Sequence, residues 1–205
     1  MFRPAAALGI LLITIPAAAQ DPAAVDTNRI KVEIDNSQVR VLRVKLGPTE
    51  KTPAADYKAS VAIFLTDGRQ RVGPGGKDLR KRADAVLLPA GKHEIENLGS
   101  TPSEIVVVEF KTPPIKPWKG VALDPVKVDP NNFQVITEND YARVLRATSK
   151  PPKIEHEHGA YLFVALSGDG IEPGAVRFED GPAKHSPQNN GDNVMVELKT
   201  QQPPK

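Results

Sequence analysis

The chain carries the same message twice, and this restricts its fold more than any other feature. The stretch IDNSQVRVLRVKL, from Ile34, is echoed by TENDYARVLRATS, from Thr137. Asn36 falls on Asn139, and Arg40-Val41-Leu42-Arg43 falls on Arg143-Val144-Leu145-Arg146. ADYKASVAIFLTDG, from Ala55, runs parallel to HEHGAYLFVALSGD, from His156. PAGKHEIENLGSTPSEIVVVEFK, from Pro89, matches GPAKHSPQNNGDNVMVELK, from Gly181, so that His93 meets His185, Asn97 meets Asn189 and Glu109 meets Glu197. The three blocks keep their order in both halves. A period of about 100 residues is too long for a solenoid unit and points to two duplicated domains.

Those domains read as β structure. The apolar runs SVAIFL, EIVVVEF and NVMVEL are short and bounded by Gly, Pro, Asp and Asn, which are strand and turn signals. The 20 prolines and 15 glycines fit many turns, and no segment after the first 20 residues sustains a helical period. An all-β sandwich or barrel follows. The expected boundaries are an N-terminal domain at 26–112, a Pro-rich connector at 113–130 and a C-terminal domain at 131–200. The connector region TPPIKPWKGVALDPVKVDP holds five prolines and Trp118, the chain's one tryptophan. That ring is expected to pack the connector onto a domain or across their interface rather than to bind a ligand.

Residues 1–20 read as a secretory signal peptide. Arg3 precedes an apolar stretch from Ala5 to Ile15, then Pro16 and the small residues Ala17, Ala18 and Ala19. The apolar stretch is shorter than the ~18 residues of a membrane-spanning helix, so no stable membrane anchor is expected after cleavage. The mature protein is expected in a periplasm or outside the cell. With no cysteine there is neither a lipid-anchoring thiol nor a disulfide, so stability must come from packed core. The 27 basic and 25 acidic residues are mixed along the chain, which gives no footprint for nucleic acid. KDLRKRAD, from Lys77, is the most basic segment and reads as a solvated loop or edge strand. VGPGGKDL, from Val72, lacks the spacing of a phosphate loop and reads as a turn between strands. The partners left open are a small-molecule ligand and further copies of the chain.

The candidate chemistry lies in KIEHEHGAYLFVAL, from Lys153. On a strand, residues i and i+2 share a face, so His156 and His158 stand side by side with Cα atoms about 6–7 Å apart. Glu157 then points away, and both it and Glu155 are expected at the surface.

These residues resemble the cupin family. Its first motif is Gly, His-x-His, a glutamate and Gly, and its second is Pro-x-Gly, then His, then Asn four positions on. The second motif stands in the first half as Pro89-Ala90-Gly91-Lys92-His93 with Asn97. It recurs as His185 and Asn189, with Gly181-Pro182-Ala183 in altered order before them. The first motif survives as His156-Glu157-His158 alone. The resemblance implies two tandem jelly-roll β-barrels, a bicupin. It implies one divalent transition metal (Fe, Zn, Mn, Ni or Cu) held by His156, His158 and His185 in the C-terminal barrel, or a small polar ligand in their place. The family's glutamate falls near Leu162 and Phe163, which cannot ligate, so the site is either a three-histidine one or a metal-free vestige. The first half offers Ala55 and Tyr57 where the paired histidines would be. No metal is expected there, and His93 is expected as a hydrogen-bonded residue, with Asn97 as candidate partner.

Three functions stay open: a metal- or ligand-binding module, a three-histidine iron dioxygenase, or a non-catalytic scaffold. Tyr161 and Glu179 are the weak acid–base candidates for the enzyme. The second half spans 27 positions from His158 to His185 where the first spans 36 from Tyr57 to His93. It therefore lacks about one strand's worth of chain, about 5–6 residues and a turn.

Overall fold

The computed structural model describes residues 19–73, 75, 78–148, 150–168, 170–187 and 191–200. The signal-peptide expectation for 1–18, and Asn189 of the second motif, lie outside the described residues.

The first half carries α1 (Pro22–Val25), β1 (Ile30–Asp35), β2 (Val39–Leu46), β3 (Ala55–Tyr57), β4 (Ser60–Phe64), β5 (Gly68–Val72), β6 (Leu79–Arg80), β7 (Ala85–Leu88), β8 (Gly91–His93), β9 (Ile95–Asn97) and β10 (Ser103–Phe110). The second carries α2 (Pro125–Val128), β11 (Phe133–Glu138), β12 (Ala142–Thr148), β13 (His156–His158), β14 (Tyr161–Ala165), β15 (Val176–Glu179), β16 (Ala183–His185) and β17 (Asp192–Leu198). Each half builds one five-stranded antiparallel sheet, in the orders β1-β2-β10-β4-β7 and β11-β12-β17-β14-β15. Small sheets face them: β3-β8 and β6-β5-β9 in the first half, β13-β16 in the second.

The register confirms the internal repeat strand by strand. Ala55 pairs with His93 where His156 pairs with His185. Both first hairpins break register at the same point, between Val32 and Ile34 and between Val135 and Thr137. Asn36 and Asn139 make the same turn, each side-chain oxygen accepting from the backbone N–H groups two and three residues on. The repeat also reaches further than the quoted blocks. Asp21 and Asp124 both cap four-residue helices that open on proline. The stretch 124–130, expected in the connector, therefore folds with the second sheet.

Period-two alternation divides each large sheet into an inner and an outer face. In β2, Leu42, Val44 and Leu46 enter the first barrel's core, while Val39 and Val41 point the other way. In β12, Leu145 and Ala147 face inward, while Ala142 and Val144 face outward. The two outward faces form one shared core, with Val61, Ile63, Val106 and Val108 joining Leu162, Val164, Val194 and Val196, all 0% exposed. Each such aliphatic contributes roughly 1.5–3 kcal/mol on burial, so the halves stabilise one another. Trp118 packs the connector over the second barrel, its ring 5.6 Å from the Arg143 guanidinium and 5.5 Å from Lys199 Nζ.

The shorter second half differs in its smaller sheets. In the first half the hairpin β5–β6, with Leu79–Arg80 in the segment expected as a solvated loop or edge strand, pairs with β9 in a three-stranded sheet. Among the described residues of the second half, β5 and β6 have no counterpart.

Candidate metal centre

The β13–β16 pair positions the site. His156 and His158 are on one face of β13, and His185 lies opposite His156 on β16. Gly181 sits just before β16 with φ +53°, and a Cβ there would fall 2.4 Å from the Gly159 carbonyl carbon. Only glycine allows the two strands to approach this closely.

The three expected ligands converge. Their candidate donor atoms all lie within 4.8 Å of one another. A triangle with sides of at most 4.8 Å has every corner within about 2.8 Å of a common point, close to the ~2.1 Å of a metal–imidazole bond. The rings meet edge to face, His156 at 4.8 Å from both His158 and His185 by centroids. His156 and His158 are buried at 1% and 0% exposure, and His185 is half-buried.

Hydrogen bonds set the tautomers. His156 Nδ1 donates to the Ile154 carbonyl at 2.8 Å, and His158 Nδ1 donates to the Glu197 carboxylate at 2.8 Å. Each Nε2 is thereby left as a lone pair. That of His158 is buried with no hydrogen-bond partner. An orphaned buried acceptor aimed at two more imidazoles is the arrangement a cation would satisfy. Burial, reinforced by the neighbouring His158 and His185, holds His156 at about 4, and burial with His158 also lowers His185. Both imidazoles are thus neutral near pH 7, the form that ligates. The residues fit a divalent transition metal.

The family's glutamate has no replacement at its own position. Leu162 is fully buried in the shared core, while Phe163 lines the cavity. Its role as an anionic partner passes in part to Glu197 on β17, which the sequence reading aligned with Glu109 without assigning it work. Glu197 also takes Arg143 Nε at 2.7 Å, and Arg143 holds Asp124 through two bonds of 3.0 Å. The one sequence signal was the recurrence of a glutamate at the same place in both halves, Glu109 and Glu197.

Other expectations hold for Glu155 and are corrected for Glu157 and Asn97. Glu157 points away from the site but is half-buried, accepting from the backbone N–H groups of Ala122 and Leu123 and so pinning the connector. Glu155 is exposed and pairs with Lys184 at 3.0 Å. Asn97 is not the partner of His93. It donates to Gly47 and Thr101 carbonyls, while His93 Nε2 donates to the Pro89 carbonyl at 2.8 Å. The Asn97 amide is drawn to the loop ends because its backbone there needs closing. Glu179 is exposed, and Tyr161, raised to about 12 by burial and by Glu179 and Glu197, keeps its proton.

A cavity of about 130 Å³ opens beside the imidazoles. His156 and His185 form part of its wall.

No family model and no curated protein matches the chain. Solved structures do. AerE from Microcystis aeruginosa is similar over 85% of this chain and 94% of its own, at 14% identity and a TM-score of 0.60. A cupin domain from Bordetella pertussis Tohama I is similar over 40% of this chain and 91% of its own, at 25% identity and a TM-score of 0.36. A salicylate 1,2-dioxygenase from Pseudaminobacter salicylatoxidans is similar over 95% of this chain and 85% of its own, at 11% identity and a TM-score of 0.46. These are likenesses of fold. The chain has a two-barrel cupin fold. Within this bicupin the three-histidine cluster is confined to the C-terminal barrel, and its donor set allows metal binding.

Proposed function

We propose that this bicupin is an exported protein whose C-terminal barrel binds one divalent transition metal through His156, His158 and His185, with a small ligand taken up beside it. The observation that carries the reading is the buried, partnerless Nε2 of His158 facing two further neutral imidazoles. Export rests on the sequence pattern of residues 1–20. The N-terminal barrel is structural in this reading, since Tyr57 occupies the place of His158 and is 3% exposed.

A neutral three-imidazole set leaves a bound ion with its full +2 charge, which favours Fe, Zn, Ni or Cu over harder ions. The test is elemental analysis of the purified protein after loading with Zn(II), Fe(II) or Co(II) and dialysis. One ion per chain is expected, lost in His185→Ala and retained in His93→Ala. No ion in the wild type would leave the cluster as a polar vestige and favour the scaffold reading.

An enzymatic reading has one specific support: a cavity lined by His156 and His185 adjoins the cluster and could seat a substrate beside a bound ion. Iron bound there would supply redox chemistry with oxygen. The chain's own part would be to hold the substrate against His156 and His185 and to keep Tyr161 as a proton donor. Oxygen consumption by the iron-loaded protein with thiols or diketones tests it, and no uptake removes it.

A further inference from the structure

The cavity is built by subtraction. At matching registers on the inner faces, Val44 and Phe64 flank Ile105 in the first half, and Ala147 and Ala165 flank Asn193 in the second. The first set is packed solid, with Val44, Phe64 and Ile105 at most 1% exposed. The second set has lost volume on both sides and gained an amide. Asn193 is 8% exposed, lines the cavity, and its Oδ1 has no hydrogen-bond partner. Ile105 shows that an aliphatic side chain suits this register. A buried polar atom left unpaired is costly, and packing does not explain it.

Most of the remaining wall is apolar or aromatic, with Phe133, Phe163, Ile171 and Met195, while Tyr161 and Ser167 add hydroxyls. Among the described residues that line it, none is Lys, Arg, Asp or Glu. The volume approaches that of the ~150 Å³ apolar cavity known to hold benzene.

From this we infer that the C-terminal cavity selects a small ligand of about one ring. The ligand has an apolar body, one uncharged hydrogen-bonding group matched to the Asn193 amide, and no charged group away from the imidazoles. An oxygen or sulfur of the ligand faces the histidine cluster. Only that last element rests on the metal-site reading. The wall sets the rest. Carboxylated and phosphorylated ligands are disfavoured, because the described lining offers their distal charge no counter-ion.

The probes are thiophenol, its three hydroxy isomers and 4-mercaptobenzoate, titrated into Co(II)-loaded protein. The chain's two methionines are Met1 and Met195, so a ¹³C-methyl signal from Met195 reads the cavity directly. Thiophenol and at least one hydroxythiophenol are expected to shift it and to bind about tenfold or more tighter than 4-mercaptobenzoate. The preferred hydroxy isomer should lose its advantage over thiophenol in Asn193→Leu. The double variant Ala147→Val/Asn193→Ile, which restores the first half's residues, should bind all probes about tenfold more weakly while keeping its cobalt. Equal or tighter binding of 4-mercaptobenzoate, or an unchanged hydroxy preference in Asn193→Leu, overturns the proposal.

If cobalt does not load, the metal reading fails by itself. The cavity is then tested in the metal-free protein with phenol against 4-hydroxybenzoate, and the absence of any Met195 shift overturns the proposal there too.

Discussion

The two barrels share a strut and differ in what it supports. In the first half Asp21 grips Arg40 through two bonds of 2.8 Å, but Arg40 stands 3.6 Å from Glu109, and Glu109 Oε2 has no hydrogen-bond partner. In the second half Asp124, Arg143, Glu197 and His158 form an unbroken chain of charge-assisted bonds between 2.7 and 3.0 Å. The strut is the same backbone feature in both halves, a helix cap tied to the middle of a sheet. Only in the second does it end on an imidazole, and there a cavity opens beside it. A site in this fold needs both the donor atoms and room for a ligand, and the first half keeps only His93 of the three donors, with Val44, Phe64 and Ile105 packed where the second half has Ala147, Ala165 and Asn193.

Exchanging the residue at the end of the strut is the most severe way to break that contrast. His158→Tyr gives the second half the first half's residue and is expected to weaken metal affinity by at least about 100-fold, beyond the 10–100-fold typical of losing an outer-shell partner. Equilibrium dialysis with zinc reads this directly. The reverse exchange, Ala55→His with Tyr57→His, completes a three-histidine set with His93 but is expected to bind no metal. Ala55 is 0% exposed, and overpacking there costs about 1–3 kcal/mol.

Next comes the strut itself. Arg143 is 6% exposed and is satisfied by two carboxylates. Arg143→Met strands both, with an expected loss of about 3–5 kcal/mol in urea unfolding. Arg40→Met should lose about 1 kcal/mol, because Asp21 stays well hydrated. Equal losses would show that the strut, and not its buried completeness, sets the effect.

The imidazole cluster of the second half should also respond to acid. His156 is held at about 4 when folded, against 6.5 when free, so the unfolded chain binds more protons between those values. Its contribution is complete above pH 6.5 and is lost as pH falls towards 4. For the metal-free protein this amounts to something on the order of 3 kcal/mol. Unfolding free energies measured across that window should fall in the wild type and flatten in His156→Gln.

Much of this was legible in the sequence because duplication supplies its own alignment. The paired blocks gave the strands and the equivalence of His93 with His185, and the resemblance to the cupin motifs implied the three ligands. What the sequence hid was inward-facing and polar. Glu197 looked like any glutamate near a strand end, and its place opposite His158 appears only once β17 lies beside β14. Asn193 hid in the same way, since its importance depends on Ala147 and Ala165 being small across the sheet. The repeat Asp21-Pro22 and Asp124-Pro125 escaped notice because the second copy lies in a proline-rich stretch that reads as connector. Residue type and spacing reveal a face, but not which distant strand borders it.

The smallest expected effect tests the strut at its incomplete end. Burial raises the Glu109 carboxyl above its ordinary range, since Arg40 is too far away to offset it fully. A carboxyl raised on folding contributes stability below its free value of 4.5, and that contribution is lost as pH rises through the folded value. Near pH 7 Glu109 therefore opposes folding, although it accepts from the Lys58 N–H at 3.0 Å. Glu109→Gln keeps that acceptor and removes the charge. It is expected to stabilise the protein slightly, by less than about 1 kcal/mol, and to flatten the stability profile above pH 4.5. Glu197→Gln should do the opposite, because it removes the counter-charge of Arg143 and leaves one amide oxygen where Arg143 and His158 each use a carboxylate oxygen. Thermal unfolding of the two variants side by side makes the comparison. If both destabilise alike, the two struts are energetically equivalent, and the imidazole at the end of the second owes nothing to the carboxylate behind it.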